Sequence, residues 1–270
     1  MTSYEKVLPL TLSKSQKSYY NRPLMGTRNI KLTVSYDGIN YSGWQDQPGK
    51  RTIQGLLQQA IGNLTGVFTK VNGASRTDAG VSALGQVANF ILDSRIPTEN
   101  LLEAINHRLP RDIVVTEVSE AEPTFDVSGS ARSKLYRYKI FTGRKRNVLR
   151  TRNCWHRPGK LDAAAMDAAA KMLVGKHDFK SFAAAADKRQ TSVRTIMQCR
   201  VTEEDKWVHI DIEADRFLYN MVRNIVGTLV EVGRGRWKSE KIKEILEAKN
   251  RTAAGPTAPP EGLCLMRIEY

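Results

Sequence analysis

Asn29-Ile-Lys-Leu-Thr-Val-Ser-Tyr36, followed by Thr52-Ile-Gln-Gly-Leu-Leu-Gln-Gln-Ala-Ile-Gly-Asn-Leu64, decides how the fold is read. In the first stretch Ile30, Leu32, Val34 and Tyr36 alternate with polar residues, the period of a strand with one buried face. In the second, Ile53, Leu56, Leu57, Ala60, Ile61 and Leu64 recur every three or four residues and form one apolar stripe on a helix of about three turns. Thr52 stands where its hydroxyl can cap that helix. A turn-rich stretch containing Asp37-Gly38 joins the two, so a strand feeds a helix that packs back on a sheet.

Working outward, the pattern predicts a strand entering Gly73, a polar turn, a strand over 87–92, a Thr98-capped helix to about His107 and a strand over 113–118. The order is β-α-β-β-α-β. Past a polar connection come a strand at 133–141, a helix at 161–174, strands at 193–201 and 207–213, a helix over 217–232, a short helix after Ser239 and a last strand from Leu263. That is the same order again. The expected fold is α+β: two ferredoxin-like halves with mainly antiparallel sheets adjoining, helices on one face and a basic cleft between. The expected units are 29–120 and 121–270. Residues 1–28 carry Lys6, Lys14, Lys17, Arg22 and Arg28 against Glu5 with no sustained period, and are read as a flexible basic extension.

The chain has 42 Lys and Arg against 28 Asp and Glu, a net charge of +14, which points to a polyanionic partner and above all to nucleic acid. Charge spread for solubility is the plainer reading of the same surplus. Cys154, Cys199 and Cys264 lie far apart with no CxxC pair, which argues against a disulfide framework or a zinc knuckle. No stretch has the length of a membrane span or the apolar run of a signal peptide, so a soluble cytoplasmic protein is expected. There is no GK[ST] phosphate loop and no dinucleotide fingerprint, and the four histidines are dispersed; neither a metal nor another cofactor is expected.

Three segments carry chemistry. In Gly73-Ala-Ser-Arg-Thr-Asp-Ala-Gly-Val-Ser-Ala-Leu-Gly-Gln-Val-Ala-Asn-Phe90, Asp78 is a single carboxylate among glycines and small residues, with the phosphate-matching fork of Arg76 two residues upstream. An Asx-turn aspartate beside a solvated arginine is the plain alternative. In Phe217-Leu-Tyr-Asn-Met-Val-Arg-Asn-Ile-Val-Gly-Thr-Leu-Val230, Arg216, Asn220, Arg223 and Asn224 share a helix with an apolar stripe, and Arg223 is the candidate partner for Asp78. In Ala131-Arg-Ser-Lys-Leu-Tyr-Arg-Tyr-Lys-Ile140, Tyr136 and Tyr138 occupy one strand face and Arg137 and Lys139 the other, a pattern that suits base stacking with phosphate contact, or an ordinary half-buried strand.

These segments, together with Tyr36-Asp-Gly-Ile-Asn-Tyr-Ser-Gly-Trp-Gln45, Thr52-Ile-Gln-Gly-Leu56 and Ala254-Gly-Pro-Thr-Ala-Pro-Pro-Glu-Gly-Leu-Cys-Leu265, resemble the TruA family of tRNA pseudouridine synthases from about Asn29 to Tyr270. The resemblance implies a cofactor-independent isomerase that converts uridine to pseudouridine at tRNA positions 38, 39 and 40. It implies Asp78 as the catalytic aspartate, Tyr136 against the target base, Arg223 paired with the aspartate, Arg76 holding the flipped nucleotide, and a homodimer that binds tRNA. The chain departs from the family loop at Ser75, where glycine is usual, at Ser82, where histidine is usual, and at Asn89, which clouds the RNA contacts. A synthase acting on another RNA and a non-catalytic RNA-binding protein on the same scaffold are the competing readings. Such a carboxylate can attack either the sugar carbon or the base, and the C5 proton can pass to Tyr136 or to Asp78.

Overall fold

The protein is seen in a computed structural model that describes residues 26–146, 148, 151–187 and 189–270. The first half is β1 (Arg28–Tyr36), α1 (Ile53–Thr65), β2 (Asn72–Gly73), β3 (Ser82–Leu92), α2 (Thr98–Asn106) and β4 (Ile113–Ala121). The second is β5 (Ser133–Phe141), β6 (Trp155–His156), α3 (Ala163–Lys171), β7 (Gly175–Asp178), β8 (Val193–Glu204), β9 (Trp207–Ala214), α4 (Met221–Gly233), α5 (Lys241–Ala248) and β10 (Leu263–Glu269).

The ten strands of the described residues join in one sheet of order β4-β1-β3-β10-β5-β9-β8-β7, with β2 on β3 and β6 on β5. The pairings are antiparallel except β3–β10 and β5–β6. The fold is thus mixed α+β on one large, mostly antiparallel sheet. The seam is β3, which pairs with β2 through Ala88 and Asn89 and with β10 through Ser82 and Ala83. A strand that started at residue 87 would leave the β10 side of that seam unpaired; β3 starts five residues earlier than the pattern predicts because Ser82 and Ala83 pair with β10 and Ala83 also with Tyr36 of β1, pairings that leave no apolar alternation in the sequence.

The alternation predicted for β1 is seen: Ile30, Leu32, Val34 and Tyr36 are buried, and β9 does the same with Val208, Ile210, Ile212 and Ala214. Thr52 caps α1 by accepting from the Gly55 N–H at 3.3 Å, and Gly66 closes it in the left-handed conformation (φ 74°). In α4 every residue except Arg223 is buried. The C-terminal segment covers this helix, and it fits only because residue 227 is glycine: a Cβ there would lie 1.6 Å from the Pro256 carbonyl oxygen.

Several local expectations are corrected. Thr98 is the first residue of α2, and its hydroxyl donates to Glu120 rather than capping the helix. The helix expected from 217 begins at Met221, after Asn220 turns the chain in the left-handed region (φ 60°). Strands β6 and β7 are too short to show a period. The extension assigned to 1–28 falls, up to residue 25, outside the described residues. Arg28 belongs to β1, where its guanidinium donates to Thr98, to the carbonyls of Ser94 and Ile96, and to Glu120 at 2.9 Å.

Candidate active site

The loop after β2 is fixed from below by its own half. Gly73 lies flat on Trp44, whose ring atoms stand 2.4 Å from where a Cβ would be. Ala74 N–H donates to the Val87 carbonyl at 2.8 Å, and Ser75 N–H to Gln86 Oε1 at 3.2 Å. The Thr77 hydroxyl meets the buried Tyr36 hydroxyl at 2.8 Å, and its carbonyl accepts from Trp44 N–H at 3.0 Å. Gly80 (φ 81°) then reverses the chain, with Val81 N–H donating to the Asp78 carbonyl at 3.1 Å. Each backbone group held this way removes freedom from Asp78, the residue in the middle.

Asp78 lines a cleft of about 1330 Å³ between the two halves, and Arg76, Lys134, Tyr136, Arg216 and Arg223 line it too. The expected pairing of Asp78 and Arg223 is present: Arg223 Nη1 stands 3.4 Å from Asp78 Oδ2, with the two side chains 16% and 27% exposed. The same guanidinium donates through Nε to the Ala258 carbonyl at 2.8 Å and through Nη1 to Asn220 Oδ1 at 3.1 Å. Arg223 is therefore aimed by the protein and only loosely bonded to the carboxylate. Burial raises the Asp78 pKa above its ordinary value, and the charge and hydrogen bond of Arg223 pull it back only in part.

Tyr136 is buried in the cleft wall, its hydroxyl 3.0 Å from Ser75 Oγ and its ring edge-on to Phe217 at 5.2 Å between centroids. Burial pushes its phenol up to about 12, the Ser75 hydrogen bond opposes this and the Asp78 charge adds to it, so the group is a neutral phenol at physiological pH. Arg76 is exposed at the lip, with no hydrogen bond or ion pair among the described residues. Asp78, Tyr136, Arg223 and Arg76 are thus brought to one cleft from both halves.

The interleaved bases of β5 do not behave as the pattern suggests. Arg137 is held by two hydrogen bonds of 2.7 Å to Asp211, and Tyr138 is fully buried with its hydroxyl donating to the Pro259 carbonyl. The base that does face the cleft is Lys134, which the sequence reading passed over. Its ammonium donates to the Ala74 carbonyl at 2.6 Å, and burial together with Arg216 and Arg189 lowers its pKa to about 8. Its spacing of two from Tyr136 on one strand was the signal available. Asn224 is structural: it donates to the Phe182 carbonyl and accepts from Arg251 and Thr257. Ser82 accepts from Gly38 N–H and Asn89 donates to Asn29, both away from the cleft lining.

Among the described residues no group of three or more His, Cys, Asp or Glu is placed to hold a metal ion, and no helix is long and apolar enough to cross a membrane.

Comparison with known proteins gives a consistent answer. The family model for tRNA pseudouridine synthase matches residues 32–128 and 169–270. The tRNA pseudouridine synthase A of Acetivibrio thermocellus is 46% identical over 243 residues, covering 90% of this chain and all of that protein. Those of Moorella thermoacetica (46%, covering 89% of this chain and 99% of that protein) and Geotalea uraniireducens (42%, 90% and 100%) are similar at nearly the same extent. With the model matching most of the chain and the relatives covered end to end, this chain belongs to the tRNA pseudouridine synthase family, in its TruA branch.

Proposed function

We propose that this enzyme isomerises uridine to pseudouridine in the anticodon stem-loop of tRNA, at positions 38, 39 and 40, with Asp78 as its catalytic carboxylate. The reaction breaks N1–C1′, turns the freed base and joins C5 to C1′, while a proton leaves C5 and one arrives at N1. It needs no redox partner and no energy source, only an anion to bond to the sugar carbon or to the base. The single observation that carries the reading is the Asp78–Arg223 contact inside a basic cleft: an otherwise desolvated carboxylate is kept ionisable by a guanidinium that Ala258 and Asn220 hold in place. A uridine must leave its stack to reach it, at a cost of roughly a few kcal/mol that is smallest in a loop or stem end.

Tyr136 lies against the target base in this reading, and Arg76, exposed at the lip, holds the flipped nucleotide through phosphate. Burial keeps Tyr136 a neutral phenol that still carries its own proton, which favours the freed Asp78 carboxylate as acceptor of the C5 proton. The halves are taken as two ferredoxin-like units, 29–120 and 121–270, because the orders β4-β1-β3-β2 and β10-β5-β9-β8 repeat one permutation. A cytoplasmic homodimer that engages one tRNA with both subunits completes the proposal.

The test is to incubate unmodified tRNA with the enzyme, label pseudouridine with carbodiimide and map stops by primer extension. Stops at 38–40 support the reading. Stops elsewhere in tRNA, or modification only of another RNA, overturn the assignment of substrate.

A further inference from the structure

The Asp78 loop is held by its own half from one side, and from the other half it is met not only by Arg223 at Asp78 but also, ahead of Asp78, by side chains of β5. On β5, Lys134 and Tyr136 are two residues apart and so share a strand face. They reach consecutive residues of the loop: Lys134 Nζ donates to the Ala74 carbonyl at 2.6 Å, and the Tyr136 hydroxyl meets Ser75 Oγ at 3.0 Å. Neither contact is a ladder hydrogen bond, since β5 pairs with β9, β10 and β6 and never with β2. The same β5 face therefore meets the loop through side chains alone, three and four residues before Asp78.

We propose that Lys134 and Ser75 are positioning residues, which with Tyr136 form a two-point clamp that sets the Asp78 loop in register with the half that carries Arg223. Two features make the clamp more than passing contact. Lys134 is half-buried in a cleft it shares with Arg216, and among the described residues it makes no ion pair and its ammonium has one hydrogen bond, to the Ala74 carbonyl. Ser75 supplies a hydroxyl that a glycine at this place lacks, and that hydroxyl is the hydrogen-bond partner of the tyrosine proposed to face the base. The Asp78–Arg223 contact, at 3.4 Å, lies at the limit of hydrogen-bond range, where a displacement of about 1 Å costs on the order of a hundredfold in rate. A device that fixes the loop relative to the second half is what such a contact requires.

The clamp rests on the reading of Asp78 as the catalytic carboxylate, and two separate measurements keep the failures apart. The first is hydrogen–deuterium exchange of the full-length free enzyme, wild type against Lys134→Met and Ser75→Ala, followed in peptides covering 73–81. The clamp predicts exchange at least about fivefold faster in that loop in Lys134→Met, with the core strands unchanged. Unchanged loop exchange overturns the clamp whatever the chemistry is.

The second is single-turnover tritium release at saturating tRNA alongside tRNA affinity. Lys134→Met is expected to slow the step about 10- to 100-fold and Ser75→Ala about 3- to 10-fold, each with affinity within about twofold, and Lys134→Arg is expected to restore most of the rate because it can still donate to Ala74. A loss of rate matched by an equal loss of affinity overturns the clamp in favour of an RNA phosphate contact by Lys134. A loss that Lys134→Arg fails to restore overturns the donor role.

Discussion

Arg223 makes its shorter hydrogen bond, 2.8 Å, to the Ala258 carbonyl and stands 3.4 Å from the carboxylate of Asp78. The arginine is positioned by the protein backbone first, and the carboxylate is offered a charge it can lean on without being locked to it. A tight bidentate pair would hold Asp78 anionic but would also occupy both oxygens. The looser arrangement leaves an oxygen for chemistry, at the expense of a pKa that burial keeps above its ordinary value.

Replacing Asp78 by Asn should leave the fold at least as stable at neutral pH. The folded-state pKa of Asp78 is raised, so folding favours the protonated carboxyl: that stability is fully present below the unfolded pKa and is lost as pH rises through the folded pKa. Asn mimics the neutral form at every pH. The Tm of Asp78→Asn should therefore match wild type on the acid side and equal or exceed it above the folded pKa; a variant markedly less stable than wild type at neutral pH would contradict the electrostatic account of the site.

Removing Arg223 should move the acid limb of the rate profile. Both contributions that lower the Asp78 pKa come from this guanidinium, and burial would then act unopposed. In Arg223→Gln, kcat/KM measured from about pH 5 to about pH 9 should fall by roughly 10- to 100-fold at neutrality, with the acid limb displaced to higher pH. A uniform loss with an unmoved limb would assign Arg223 to RNA binding instead.

Arg76 should contribute to binding through phosphate rather than to the chemical step. Arg76→Ala is expected to weaken tRNA affinity and to flatten the slope of log K against log salt by about one, while single-turnover release at saturating tRNA stays within about threefold. Equilibrium binding between about 50 and 200 mM salt checks this.

Gly227→Ala should be costly although the residue does not line the cleft. The added methyl would meet the backbone oxygen of Pro256, which cannot swing aside, and the displaced segment includes the Ala258 carbonyl that holds Arg223. The expected loss is about 2–3 kcal/mol, a fall in Tm of roughly 5–10 °C, together with reduced turnover. Thermal unfolding and tritium release on one preparation test both.

Much of this was legible along the chain, and the parts that were not share a cause. The alternation of Ile30, Leu32, Val34 and Tyr36 and the stripe from Ile53 to Ile61 are local patterns, and both elements form where they point. Asp78 and Arg223 were legible as a pair because their motifs lie in loops and helix faces with recognisable company, even though 145 residues separate them. What escaped was set by tertiary contact alone. Ser82 and Ala83 look like turn residues and become the seam of the sheet by pairing with β10, the last strand of the chain. Arg137 looks like a free base and is neutralised by Asp211 on the neighbouring strand. Lys134 looks like a surface lysine and is drawn into the cleft by the carbonyl of Ala74. In each case the partner lies dozens of residues away and periodicity carries no trace of it.

The central claim is that Asp78 performs the chemistry, and tritium release from C5-labelled uridine in unmodified tRNA tests it most directly, wild type against Asp78→Asn, with no added metal or nucleotide. The account predicts release by wild type and a loss of at least about a thousandfold in the variant, with tRNA affinity nearly unchanged because phosphate contacts dominate binding. Turnover retained by Asp78→Asn would contradict it.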